Sequence, residues 1–228
     1  DAGASFSTAR ILSGTGAEDV DDPIVTADGS DVMVADVDDS TAGEDDLWAL
    51  FSSNSGLSFV RGLLESATAG DVGVPRLARW GTLVAAVWQD DDPALPGEEG
   101  LHVAVSTDSG RTFGAERSLS PLGEETPGAR VLAGSVALLG DDIVVVHADD
   151  SESIRSGGPA GSDGARCYVA VSHDRGASWE VERPLAAELS VPQNRPQLCA
   201  GGGRVYLALE LGNSGSNGMG YCLSSDGG

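Results

Sequence analysis

The chain contains no lysine: its 13 basic residues are all arginine, set against 36 aspartates and glutamates, for a formal charge of −23 over 228 residues. So acidic a surface disfavours nucleic acid and anionic lipid as partners, because both need a positive face. It is consistent with solvation in a high-salt habitat, or with attraction of cations. Aromatic residues make up only 5% of the chain, and there are three histidines and three cysteines. No apolar run approaches the ~20 residues needed to span a bilayer, so membrane insertion is not expected. The sequence opens at Asp1 rather than Met, and a leader or upstream domain is expected to have been removed, so a secretory signal is not visible.

What the chain has in abundance is glycine, 32 residues of it, with many Ser and Asp between short apolar runs such as "TLVAAVW" (82–88) and "DIVVVHA" (142–148). Short runs bounded by turn formers indicate many strands and tight turns. The stretch "STDSGRTF" at 106–113 returns as "SHDRGASW" at 172–179, and "SSNSGLSF" at 52–59 keeps the frame with Asn in the Asp place. Two half copies flank these: Asp1, Gly3, Ser5 and Phe6 at the start, and "SSDGG" at the end. From Asp1 to Asn54, Asp108, Asp174 and Asp226 the steps are 53, 54, 66 and 52 by subtraction. A period of that size fits four short strands and their turns, one blade of a propeller.

The residue types give the motif a structural role. An Asp or Asn side chain accepts hydrogen bonds from N–H groups just ahead of it, and the glycine supplies a positive φ. The Ser ties the turn together, and the aromatic ring buries between sheets. The turn residues are therefore Ser52, Asn54, Gly56 and Phe59; Ser106, Asp108, Gly110 and Phe113; Ser172, Asp174, Gly176 and Trp179; and Ser224, Asp226 and Gly228. These aspartates are read as rivets rather than catalysts. Apolar segments "LWALFS", "LHVAVS", "CYVAVS" and "GYCLSS" lead into the turns. Each unit thus runs strand A, strand B, strand C, turn, strand D.

The frame resembles the Asp-box, or bacterial neuraminidase repeat, of sialidase-like β-propellers. The resemblance implies an all-β fold of four-stranded antiparallel blades with the boxes on the C–D turns, opposite the active face. Blades are expected at about 21–66, 74–120, 130–186 and 191–223, within one domain over 1–228. The fourth lacks a D strand, and residues 6–13 ("FSTARILS") form a D strand without a blade. Either that segment completes the fourth blade and closes a small ring, or the chain is part of a six- or seven-bladed propeller with flanks open to self-association. On this register Cys199 and Cys222 lie two strands apart, roughly 9–10 Å, too far for a relaxed disulfide. Three buried thiols, Cys167 included, are expected.

Sialidases of this type carry an Arg-Ile-Pro-like motif, an arginine triad, a loop Asp and a Tyr–Glu nucleophile pair. Here "DDPIV" places Asp21 and Asp22 before Pro23, and "LWALF" occupies a place where an arginine is common. Of the possible nucleophiles Tyr168, Tyr206 and Tyr221, the first and last fall in C strands expected to be packed. The catalytic set is thus incomplete, and a noncatalytic module binding a glycan or protein is the expected role. An exo-sialidase or other glycoside hydrolase, and a calcium-stabilised scaffold, are the alternatives. An extracellular or cell-envelope location is expected.

The face opposite the boxes carries the B–C connections "ADVDD" (35–39), "QDDD" (89–92) and "ADD" (148–150), with Glu210 in the fourth unit. They form an acidic rim, read either as solvated loop acids or as a cation site. Arg76, Arg195, Asp38, Asp91 and Asp149 are the candidate ligand-binding residues. No cofactor is required. Calcium is the expected ion if one binds, with Asp36, Asp38, Asp90, Asp92 and Asp150 as lesser candidates, although none has the spacing of a calcium loop. His102, His147 and His173 lack His-x-x-x-His spacing, and a zinc site is not expected.

Overall fold

The computed structural model describes residues 5, 7–12, 20–41, 44–66, 72–91, 99–119, 129–185, 189, 191–213 and 216–224. Its strands form four antiparallel sheets in chain order. The first holds β1 (Val20–Asp28), β2 (Asp31–Thr41), β3 (Glu44–Ser52) and β4 (Val60–Ser66), and the second β5 (Val72–Trp80), β6 (Leu83–Asp91), β7 (Glu99–Ser106) and β8 (Arg117–Ser118). The third holds β9 (Val131–Leu139), β10 (Asp142–Asp149), β11 (Arg166–Ser172) and β12 (Arg183–Pro184), and the fourth β13 (Gln193–Gly201), β14 (Arg204–Asn213) and β15 (Ser216–Ser224). Between β10 and β11 lie one short helix, α1 (Ser151–Arg155), and a 3-10 turn at Gly161–Asp163. The chain is all-β, built of blade-like sheets.

The middle strands are apolar on both faces because each sheet is covered on both sides. In β6, Leu83, Ala85 and Val87 pack toward the third sheet, and Ala86 and Trp88 toward the first. In β10, Ile143 and Val145 meet the second sheet, while Val144, Val146 and Ala148 meet the fourth. The first strands pack on one another in turn, β1 on β5, β5 on β9 and β9 on β13, so the inner edges of the sheets converge. Among the described residues, none of the more extensive contacts joins the fourth sheet back to the first.

The repeated turn lies between the third and fourth strands of the first three sheets. Gly110 N–H donates to Ser106 Oγ (2.9 Å), Ser106 Oγ donates to Asp108 Oδ1 (2.7 Å), and Asp108 also accepts from Thr112 N–H and Thr112 Oγ1 at 2.9 and 2.7 Å. The turn of the third sheet repeats this with Ser172, Asp174, Gly176 and Ser178. In the first sheet Asn54 Oδ1 accepts from Ser52 Oγ and Ser58 N–H, and the last bond reverses, Asn54 Nδ2 donating to Ser58 Oγ. A further N–H in each turn, from Ser55, Ser109 and Arg175, donates to the A–B turn of the same sheet. Phe113 and Trp179 pack against the cores on either side of the second sheet. In the fourth unit Ser224 ends β15, and Asp226 and Gly228 lie outside the described residues, as do Asp1, Gly3 and Phe6.

This geometry sets an acid response. Partial burial would raise the Asp108 carboxyl, but hydrogen bonds from Thr112, Ser106 and the Arg111 N–H outweigh it and hold the group at about 2. A folded value below the unfolded one gives stability that is present above the unfolded value of 3.8 and lost as pH falls through about 2. The carboxylate is largely exposed, so screening limits the effect to about 1 kcal/mol. Asp108→Asn is expected to keep the turn, as Asn54 does, and to be less stable than the wild type at pH 7 by that amount. Urea unfolding at stepped pH should show the two proteins converging between pH 4 and pH 2.

The edges differ from the sequence reading. Residues 7–12 form no strand, and Arg10 Nη1 donates to the carbonyls of Gly56 and Leu57 at 3.1 and 2.8 Å. The segment therefore lies against the box turn of the first sheet instead of completing the fourth. Among the described residues no strand pairs with the outer edge of β15. Cys199 is exposed and Cys222 half-buried, leaving Cys167 as the one buried thiol, and all three are free. Tyr221, expected to be packed, is 63% exposed, beside Met219 and Leu223 on the same face.

Candidate functional site

The side opposite the box turns is shaped first by three breaks in the inner strands. The β1–β2, β5–β6 and β13–β14 registers each shift, at Asp21/Ile24, Gly73/Arg76 and Asn194/Gln197. Each break contains a residue with positive φ followed by proline: Asp22 (48°), Val74 (50°) and Arg195 (47°), before Pro23, Pro75 and Pro196. Proline cannot donate to the ladder, so the strand bulges there. A positive φ outside glycine costs of order 1–3 kcal/mol, and such strain concentrates where a side chain must be aimed. Asp22 and Arg195 are exposed. The Arg195 side chain is 81% exposed, 3.4 Å from Glu210 Oε2. Arg76 is half-buried, its Nη1 donating to the Pro75 carbonyl at 2.9 Å.

The second feature is the insertion between β10 and β11. Asp150 fastens it by accepting from Arg130 N–H (2.8 Å) and from Gly161 N–H. A cleft of about 280 Å³ opens beside it, lined by Glu152, Ser153, Asp163, Arg166 and Pro192 among others. Arg166 reaches across to the Val191 carbonyl, and Gln193 N–H donates to the Ala165 carbonyl, so the cleft adjoins the entry of β13.

The rim acids are not a solvated fringe. Asp36, Asp38, Asp149 and Asp150 are all buried. Asp149 and Asp150 stand at the end of β10, and Asp36 and Asp38 lie in β2 on the face opposite Ala35 and Val37, which pack toward the second sheet. Asp38 pairs with Arg61 at 3.0 Å, and the Arg61 guanidinium stacks 4.1 Å from the Trp48 ring. Asp149 Oδ1 accepts from Ser151 N–H and Ser151 Oγ at 3.0 and 2.6 Å. Burial pushes the Asp149 carboxyl upward, against the pull of His147 and the Ser151 bonds. Asp90 and Asp91 end β6, and Asp92 lies outside the described residues. The groupings of potential metal ligands among the described residues are Asp90–His102–Glu116 and His147–Asp149–Glu182; Asp36, Asp38 and Asp150 join neither. Among the described residues Asp36, Asp38, Asp90 and Asp150 are thus not grouped with one another, and His102 and His147, which lack a ligand spacing along the chain, are each gathered with two acids.

Tyr168 is buried, and its hydroxyl donates to Glu152 Oε2 at 3.2 Å. Burial raises its pKa first, with Asp149 and Glu152 adding to the rise. The pair has the residue types of a Tyr–Glu nucleophile but the opposite environment: a phenol surrounded by acids stays protonated. Cys167 is likewise unreactive, its thiol pushed up to about 12 by burial and by Asp149.

No protein-family model matches the sequence, and no curated protein does. Solved structures share the fold. A Dyadobacter fermentans protein of unknown function aligns over 93% of this chain and 67% of its own, with TM-score 0.64 and 17% identity. Trypanosoma rangeli sialidase in complex with sialic acid aligns over 92% of this chain and 36% of its own, with TM-score 0.58 and 11% identity. A Penicillium chrysogenum α-L-arabinanase complexed with arabinobiose aligns over 87% and 65%, with TM-score 0.56 and 16% identity. The chain therefore has the propeller fold of sialidase-like and related glycoside hydrolases, and spans about a third of the length of that sialidase. No helix among the described residues is long and apolar enough to cross a membrane.

Proposed function

We propose that this chain is a glycan-binding portion of a sialidase-like propeller, its ligand lying on the face opposite the box turns, and that these blades do not themselves supply a nucleophile. The observation that carries the reading is the cleft beside the β10–β11 insertion, at the lower end of small-molecule pocket sizes and suited to a single sugar unit. Its lining of acids, Ser153 and Arg166 offers donors and acceptors to sugar hydroxyls, and Arg195 is exposed near the start of β13, the strand whose entry the cleft adjoins. The likeness to proteins solved with sialic acid and with arabinobiose supports a saccharide ligand. The surplus of acid favours a neutral saccharide over an anionic one. Asp38 and Asp149 are buried and paired, which leaves Arg195, Arg76 and Asp91 as the ligand contacts among the expected set. An extracellular or cell-envelope setting follows from such a ligand. The exposed Met219–Tyr221–Leu223 face of the fourth sheet is where self-association would run.

The test is a glycan array followed by calorimetry on the best ligand. Arg195→Ala is expected to weaken binding about 10- to 100-fold, the loss of one charge-assisted hydrogen bond. An array with no ligand would remove the binding reading. Release of a fluorophore from a sialic acid conjugate, abolished by Arg76→Ala or Arg195→Ala, would replace it with the hydrolase reading.

A further inference from the structure

His147, Asp149 and Glu182 are among the most deeply buried polar side chains of the fold, with 0%, 0% and 7% of their side chains exposed. They lie in the seam between the third and second sheets, the face of β10 that Ile143 and Val145 also present. Leu101 of the second sheet covers the seam, filling the space over Gly134, the residue paired with His147. The Tyr168 ring stacks on the imidazole at 5.6 Å. Inside this enclosure His147 Nδ1 is 3.7 Å from Asp149 Oδ2, and His147 Nε2 is 3.5 Å from Glu182 Oε1. Neither ring nitrogen makes a hydrogen bond, nor does Asp149 Oδ2 or either Glu182 oxygen. Five buried polar atoms of one cluster are thus left without one, where buried polar groups are ordinarily satisfied.

We propose that this triad is a binding site for a first-row divalent cation, Zn²⁺ by preference, tying β10 to the segment that leads into β12 within the third blade, at its seam with the second. One imidazole nitrogen and one oxygen from each carboxylate lie within 4.8 Å of one another. Zinc with nitrogen and oxygen ligands at about 2.0–2.2 Å sets tetrahedral donors about 3.4 Å apart, so closure onto an ion needs movements on the order of 1 Å. The fourth position is left for water. Charge favours the same occupant: a divalent ion on a neutral imidazole and two carboxylates sums to zero, whereas the triad alone buries either a net negative charge or a protonated acid with no acceptor. The imidazole and the low number of oxygens disfavour Ca²⁺, which takes six to eight oxygen ligands. Entry is past Glu182, the least enclosed of the three.

The preceding blade supports the assignment independently. Taking the residues opposite the box serines as equivalent, Ile143↔Ser172 and Val84↔Ser106, Asp149 corresponds to Asp90. Glu182 and Glu116 both stand three residues after the box aromatic. The histidine changes strand but not place: His147 is paired across the ladder with Tyr168, and His102 with Trp88. The same donors thus recur, and the two partners of one cross-strand pair exchange identities.

The experiment uses the chain stripped with chelator, reloaded by dialysis against Zn²⁺, and dialysed again without metal, with Co²⁺ as a coloured substitute. Wild type is expected to retain one more equivalent of Zn²⁺ than His147→Gln, to melt higher with Zn²⁺ than with chelator, and to give visible Co²⁺ bands. Glu182→Gln, at the seam entrance, should bind at least 10-fold more weakly. His173→Gln, on the box side, should match wild type. Should His147→Gln fail to fold, wild type against Glu182→Gln decides. A folded wild type that takes up no Zn²⁺, or equal uptake by wild type and Glu182→Gln, overturns the site in favour of an imidazolium held between two acids. Neither outcome bears on glycan binding.

Discussion

Gly176→Ala is expected to destabilise the chain by about 2–4 kcal/mol, adding left-handed backbone strain to overpacking. Gly176 has φ +88°, and a methyl group there would sit 2.7 Å from Cγ2 and 3.2 Å from Cβ of Val105 in the preceding blade. Val105 is β-branched and held in β7, so it has little freedom to withdraw. The two equivalent glycines provide graded controls. At Gly110 (φ +88°) the obstacle is Met33 Sδ at 2.9 Å, the end of a flexible side chain, and at Gly56 (φ +77°) it is the Phe59 ring at 3.7 Å. The loss should therefore fall in the order Gly176, Gly110, Gly56, the last reduced to backbone strain of about 1 kcal/mol. Chemical denaturation of the three alanine variants checks this. Equal losses would mean that only the turn, and not its contact with the preceding blade, is at stake.

Trp88→Ala is expected to be at least as damaging, at about 3–5 kcal/mol, the range for a fully buried large aromatic. Its indole packs with Ala35, Val37, Leu47 and Val72 in the seam between the first and second sheets and lies 6.1 Å from the His102 ring. Small and branched neighbours held in strands cannot collapse into so large a void. Trp88→Phe should recover most of the loss, since it restores the ring while dropping an N–H that makes no hydrogen bond. A Trp88→Phe loss equal to that of Trp88→Ala would point to the indole nitrogen instead of to volume.

The box turns were legible because everything that makes them is local: Ser106, Asp108, Gly110 and Thr112 satisfy one another within seven residues. The sheets followed, since the period fixed where strands recur. The burial of Asp149 and Asp150 was not legible. A run of acids reads as solvated unless one knows that Ser151, Arg130 and Gly161 supply donors, and the last two lie 20 and 11 residues from Asp150 in sequence. The grouping of His147 with Glu182 escaped for the same reason, because motif spacings look along the chain and this cluster forms across strands. A signal existed: counting from the box serine's partner in each unit lines up Asp90 with Asp149, and counting from the box aromatic lines up Glu116 with Glu182. The failure of residues 7–12 to pair has no local sign, since an extended segment reads alike whether or not an edge receives it.

Four residues along from the partner of the box serine, the units carry Asp36, Trp88, His147 and Leu209, opposite Trp48, His102, Tyr168 and Gly220. The surrounding ladder is the same in each case. The scaffold is therefore indifferent to what fills this slot, provided the volume is met, and each slot is walled off from the others by a full thickness of sheet. Such a chain can acquire or discard an ion, a guanidinium clamp or a plain hydrocarbon plug in one compartment without renegotiating the rest, so exchanging slot contents between blades as matched sets should be tolerated where single exchanges are not.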